Sequence, residues 1–130
     1  MCQSFSSPSY QYERVLTLSE LQWSGEPTTL RWPTSEDPAS ATSQNQLAAA
    51  QLDSNRVSAR DRVYNLLTQY REYSNFSNEA WIQDMPSAGR FDSIESVHDG
   101  IHGMVGGDHF GHMTYLDVAA FDPVFWFHHA

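Results

Sequence analysis

The run Val118-Ala119-Ala120-Phe121-Asp122-Pro123-Val124-Phe125-Trp126-Phe127-His128-His129 decides how this chain is read. It is apolar almost throughout, it contains a helix start at Asp122-Pro123, and it ends in two histidines. An Asp in the cap position accepts hydrogen bonds from the first-turn N–H groups. Pro suits the first helical position because the N–H it lacks would have no partner there. From that start, Asp122, Phe125, Trp126 and His129 share one helical face. His128 points roughly 100° away and is not expected to serve the same centre. A histidine closing so hydrophobic a segment is costly to bury unless it is hydrogen-bonded or bound to a metal.

Upstream, His98-Asp99-Gly100-Ile101-His102 places two imidazoles on one helix face, about 5.4 Å apart along the axis. Neutral imidazole binds Cu, Zn, Fe and Ni, so His98, His102 and His129 can meet at one ion from two helices. The plainer alternatives are a pair of polar residues on a solvated face and a core histidine bonded to a carbonyl. His109 and His112 lie in the glycine-bearing loop 106–112. A loop fixes ligand geometry poorly, so structural or supporting roles are expected of them. Glu95, one turn before His98, can reach the same side to hold a water or orient a ring, or it can simply complete the helix start.

Two other chemistries fail on the residues. The zinc-protease pattern His-Glu-x-x-His would need a glutamate where Asp99 stands, one methylene shorter, and Gly100 weakens the helix by about 1 kcal/mol relative to Ala. Ser93 and Ser96 have no Gly-x-Ser-x-Gly setting.

Working outward, Asp92 or Ser93 can cap the helix that carries His98, with Asp92-x-x-Glu95 in the capping-box layout. Ile94, Val97, Ile101 and Met104 or Val105 follow at helical spacing, and Gly106-Gly107 ends it. Before it, Val57, Val63, Tyr64, Leu66, Leu67 and Tyr70 predict an amphipathic helix from Ser54 to about Tyr73, capped by Ser54 or Asn55. Leu47 to Leu52 predict a shorter helix ahead of that. Asn75 to Glu79 read as a loop or helical turn leading to Trp81, and Pro86 to Gly89 as another loop. Pro8, Gly25, Pro27, Pro33 and Pro38 among many Ser and Thr mark residues 1–42 as an irregular segment; residues 43–130 form the structured part. Strand signal is weak throughout and no repeat occurs, so the class is mainly α.

Composition narrows the partners. Seven Lys+Arg against 16 Asp+Glu give a formal charge of −9, which argues against nucleic acid and against an anionic membrane surface. No apolar run approaches the roughly 20 residues that span a bilayer. The start, Met1-Cys2-Gln3-Ser4, shows neither the basic nor the apolar part of a secretory signal, so a cytoplasmic setting is expected. The lone Cys2 leaves no internal disulfide and no Cys-based zinc finger. At 130 residues the chain has room for one domain with a modest core.

Taken together, His98-x-x-x-His102, Gly106-Gly107, Gly111-His112-Met113 and the run from Val118 to His129 closely resemble the second copper-binding half of tyrosinases, most of all fungal ones. Leu30-Arg31-Trp32-Pro33 and the helix from Ser54 resemble the region connecting the two copper halves. The resemblance implies a partial type-3 copper helical-bundle domain in which His98, His102 and His129 are the ligands of one copper and His128 is structural. It implies that Phe125 packs against a ligand ring and shapes the substrate pocket, and that Glu95 holds a water. Position 99, Asn in several tyrosinases, is here Asp99, which leaves the balance between monophenol and diphenol chemistry open.

The implied activity is oxidation of monophenols and o-diphenols to o-quinones, the chemistry of melanin-like pigments, with two coppers and dioxygen. The chain departs from that pattern because it has six histidines and none precedes His98. It is therefore expected to be a fragment carrying one of two copper sites, inactive alone, whose partner is the first copper half of the same parent chain. Two alternatives stand beside this: a non-catalytic type-3 copper oxygen-binding protein, and a degenerate mononuclear metal-binding module.

Overall fold

The computed structural model describes Trp23, residues 25–78 and residues 92–130. In chain order its elements are α1 (Asn45–Gln69), α2 (Tyr73–Ser77), α3 (Ile94–Gly106), a 3-10 turn (His112–Thr114), α4 (Leu116–Ala119) and α5 (Pro123–His128). Among the described residues there is no strand, so the architecture is mainly α as the sequence predicts. Trp81 and the loop from Pro86 to Gly89 lie outside the described residues.

One long helix replaces the two predicted in the first half. α1 runs unbroken for 25 residues from a cap at Gln44. Ser54 and Asn55 lie inside it, and their side chains donate back to the Gln51 carbonyl at 3.0 and 2.9 Å. Short polar side chains can bond either way, to cap a helix or to rejoin the turn behind them. With neither glycine nor proline between Asn45 and Gln69, the helix continues. It ends at Tyr70, before the predicted Tyr73, in extended backbone. There the phenol oxygen of Tyr70 accepts from the Asp92 N–H at 2.7 Å. Ala48 and Leu66 are buried, whereas Val57, Tyr64 and Leu67 are 49%, 65% and 68% exposed. The apolar stripe on α1 is thus wider than the described residues cover.

α1 packs against α3, the helix that carries His98 and His102. Ser93 caps α3 by accepting from the Ser96 N–H at 3.0 Å. Asp92 has another use. It receives the Arg62 guanidinium of α1 on both carboxylate oxygens, with Nη2 to Oδ1 at 2.7 Å. The capping-box reading of Asp92 therefore gives way to an ion pair that ties α1 to the start of α3. That pair holds the Asp92 carboxyl below its ordinary value.

At its other end α3 stops on Gly107, whose φ of 72° suits glycine and whose N–H donates to the Gly103 carbonyl at 2.9 Å. Gly106 lets the 3-10 turn approach so closely that a Cβ there would lie 1.9 Å from Thr114 Oγ1. This close passage brings Met113 under α3. Val105, Met113 and Ala119 form the central cluster, with Leu52, Val124 and Phe125 packed around them. α1, α3, the 3-10 turn, α4 and α5 all contribute to it.

The described residues before α1 are fastened to this core. Among them, Trp23 and Leu30 are 1% and 3% exposed. Leu30 N–H donates to His112 Nδ1 at 3.0 Å, and His112 N–H returns to the Leu30 carbonyl at 3.0 Å. Trp32 N–H donates to the Val105 carbonyl at 3.1 Å. Among the described residues no helix is long and apolar enough to cross a membrane.

Candidate metal centre

His98 and His102 project from α3 towards the end of α5, where His128 and His129 stand. One ring nitrogen from each of the four lies within 4.8 Å of the others. His102 is buried, His98 and His128 are half-buried, and His129 is exposed.

Three of these rings are held in the same way. His98 Nδ1 lies 3.0 Å from Asp99 Oδ1, His102 Nδ1 lies 2.6 Å from the Met113 carbonyl, and His129 Nδ1 lies 2.7 Å from the Phe125 carbonyl. Those partners are oxygen acceptors, so each Nδ1 carries the hydrogen in the neutral ring and each Nε2 keeps its lone pair. The ring nitrogens converge. His98 Nε2 and His129 Nε2 are 2.8 Å apart, close enough to share a proton or, with a small opening, one metal ion. His102 Nε2 is buried with no hydrogen-bond partner. Buried polar nitrogens are normally satisfied, and an orphan of this kind asks for a ligand. Neutral imidazoles of fixed tautomer are a donor set that copper or zinc fits.

Phe125 packs against this group, its ring centroid 3.9 Å from that of His129 and 6.4 Å from that of His102. Asp99 is exposed and serves as the Nδ1 partner of His98. Glu95 is exposed in the first turn of α3, and its carboxylate is not among the convergent groups.

His128 stands where the sequence does not predict it. Its ring stacks on His98 at 4.5 Å and 21°, and its Nε2 is buried without a hydrogen-bond partner. The 100° rule separates Cβ directions inside a helix. α5 ends at His128, and His129 already has φ −101° and ψ 6°, so the two rings fold towards one point. Burial pushes the His128 ring below its ordinary pKa, and the neighbouring rings of His98, His102 and His129 push the same way, against a hydrogen bond to the His98 backbone.

The remaining histidines are elsewhere. His109 Nδ1 lies 3.8 Å from Glu36. His112 is 3% exposed and holds the segment around Leu30 to the 3-10 turn, the structural role predicted. Burial lowers its pKa, outweighing the hydrogen bond to Leu30 and the nearby Asp122 charge.

A further residue escaped the sequence reading. Arg31 clasps Asp122 through Nε to Oδ2 at 2.7 Å and Nη2 to Oδ1 at 2.6 Å, which raises the Arg31 pKa. Asp122 is fully buried and also caps α5 by accepting from the Val124 N–H at 2.9 Å, as predicted. The cap is legible in Asp-Pro. The partner 91 positions away is not, although Arg31 sits in a run, Leu30 to Pro33, already singled out.

The family description "Common central domain of tyrosinase" matches residues 1–130. A tyrosinase of Podospora anserina is 44% identical over 108 residues, covering 83% of this chain and 18% of that protein. A tyrosinase of Neurospora crassa is 38% identical over 107 residues, covering 82% of this chain and 15% of that protein. A mushroom tyrosinase crystal structure with latent and active forms aligns with a TM-score of 0.65 at 35% identity, over 85% of this chain and 27% of that one. The chain thus spans less than a fifth of the two fungal relatives, at 18% and 15% of their lengths. With the helical fold, the convergent histidines and these likenesses in agreement, the chain belongs to the tyrosinase family.

Proposed function

We propose that this chain is the second-copper half of a tyrosinase-type oxidase, which oxidises monophenols and o-diphenols to o-quinones with dioxygen. The observation that carries the reading is the set of three Nε2 lone pairs, on His98, His102 and His129, each freed by an oxygen acceptor at Nδ1. In this reading those three residues hold one copper. When bound, the metal supplies Lewis acidity and a redox couple beside the second copper of the parent protein.

The chain's own residues prepare that centre. Asp99 and the carbonyls of Met113 and Phe125 hold the rings so that each presents its Nε2 to the metal. The Phe125 ring packs on His129 and offers a flat apolar face beside which a phenol can stack. Glu95, at the exposed start of α3, is assigned to holding a water at the mouth of the site.

The first copper's ligands are assigned to a first half of the same parent chain. Support comes from the exposed apolar side chains on α4, α5 and the turn between them. Leu116, Phe121, Trp126 and Phe127 are 79%, 67%, 64% and 84% exposed, a concentration that in soluble proteins marks an interface. This piece alone is expected to take up one copper and to show no turnover.

Copper titration of the purified chain tests the reading. One equivalent should bind, and His98→Ala, His102→Ala and His129→Ala should each abolish it. Retention of the full equivalent by all three variants would remove the reading. An o-diphenol oxidation assay should stay silent for this chain and respond when a histidine-bearing first half is added.

A further inference from the structure

We propose that in this chain alone His128 is a fourth metal ligand, closing His98, His102 and His129 into a tetrahedral four-histidine site for one zinc-like divalent ion. The inference rests on the reading that those three hold a metal and adds the residue that reading leaves out.

The geometry points to it from three sides. His128 Nε2 is buried and has no hydrogen-bond partner, so its lone pair has been taken from water with nothing in return. One ring nitrogen of His128 belongs to the same convergent group as the other three, with every pair within 4.8 Å. The His128 ring lies flat against His98 at 4.5 Å, which keeps it at the centre. A residue that merely filled space here would be better apolar, as Val124 and Phe125 are in the turn before it.

The distances suit a small closed site. Zinc–imidazole bonds of about 2.0–2.1 Å in a tetrahedron put neighbouring nitrogens about 3.3 Å apart. The widest pair, at most 4.8 Å, needs to close by about 1.5 Å or less. The His98–His129 pair, at 2.8 Å, needs to open by about half an ångström. Side-chain rotations of His129 and His128 at the end of α5 supply both movements. Zinc has no electronic preference for geometry, and sites with four protein ligands are the closed, structural kind. A fourth imidazole thus occupies the position that an open site keeps for a small molecule. His128 thereby closes the centre.

The experiment uses the whole 130-residue chain, stripped with a chelator and titrated with Co2+, whose visible bands are several times stronger in tetrahedral than in five- or six-coordinate sites. Zinc affinity is read by competition with a chromophoric chelator. The parent chain should take one Co2+, show the strong tetrahedral bands, and be unmoved by added free imidazole. His128→Ala and the bulkier His128→Gln should shift and weaken those bands, water taking the fourth position, and weaken zinc binding by more than the roughly 100-fold upper limit expected for a residue that only orients a ligand. Free imidazole should restore the bands in His128→Ala.

Bands and affinity unchanged in both variants would overturn the proposal. So would a parent spectrum that shifts with imidazole, and this arm needs no variant to fold. The three-ligand reading fails differently, by metal persisting in His98→Ala, His102→Ala and His129→Ala.

Discussion

The guanidinium of Arg31 and the carboxylate of Asp122 meet through two parallel hydrogen bonds of 2.7 and 2.6 Å, across 91 positions of sequence. Asp122 is fully buried and at the same time caps α5 through the Val124 N–H. One carboxylate therefore fastens the stretch around Arg31 to the helix that ends at His128, just before His129. The segment that looks least structured in sequence helps aim the histidines.

Removing one member of that pair leaves a buried charge without its partner. Arg31→Met is expected to cost about 3 kcal/mol, towards the low end for broken buried pairs because the Arg31 side chain is 26% exposed. Asp122→Asn keeps an acceptor for the α5 cap, so it should cost less than Asp122→Ala. Urea denaturation of the two single variants and the double variant measures the coupling. Strict additivity would show that the two side chains stabilise the chain independently.

Much of the site was legible because it is local. His98 and His102 sit four apart, Asp122-Pro123 starts a short helix, and Gly106-Gly107 ends α3. Each is a rule about neighbours within a turn. What was not legible is long-range or depends on where a helix stops. The Arg62–Asp92 pair took the residue expected to cap α3, and Ser54 and Asn55 bonded into α1 instead of starting it. His128 turned towards its neighbours because the helix ends beneath it. The wide apolar stripe of α1 is the converse case. The periodicity is real, but among the described residues little covers Val57, Tyr64 and Leu67.

Gly106 tests the close passage of α3 over the 3-10 turn. Alanine is the better helix former by about 1 kcal/mol, yet its Cβ would meet Thr114 Oγ1 at 1.9 Å. Overpacking of that kind costs about 1–3 kcal/mol, so Gly106→Ala should be net destabilising. In a Thr114→Ala background the clash with Oγ1 is gone, and the penalty should shrink to near zero or reverse. Thermal melts of the four proteins decide it. An equal penalty in both backgrounds would place the strain somewhere other than Thr114 Oγ1.

Stability should fall on mild acidification, and His112 is one reason. Burial holds its folded-state pKa below the unfolded value of about 6.5. The unfolded chain therefore binds the proton more readily, and stability rises with pH through this range. The contribution is complete above pH 6.5 or so and is lost as pH falls below it. Asp92, whose carboxyl is depressed by Arg62, loses its contribution only further down, through the carboxylate range. His112→Asn retains an acceptor for the Leu30 N–H and cannot titrate. It should be less stable than the parent at pH 7.5, through loss of the ring stacked on Trp23, but should lose less on going to pH 5.5. An unchanged pH dependence would assign the loss to other groups.

Metal loading should stabilise the end of the chain more than the rest. α5 has six residues, far short of the roughly 12–15 at which an isolated helix becomes even marginal in water. It depends on its cap at Asp122, on Phe125 against the core and on whatever gathers its histidines. An ion bound at 100 times its dissociation constant adds about 2.7 kcal/mol to folding overall. Hydrogen exchange resolves where that appears. The amides of Phe125 and His129, which donate to the carbonyls of Asp122 and Phe125 at 2.9 and 3.0 Å, should slow sharply on adding metal, and α1 amides near Asn55 much less. In His98→Ala the protection of α5 should vanish. Slowing that persists in His98→Ala would mean that the ion binds away from the four histidines.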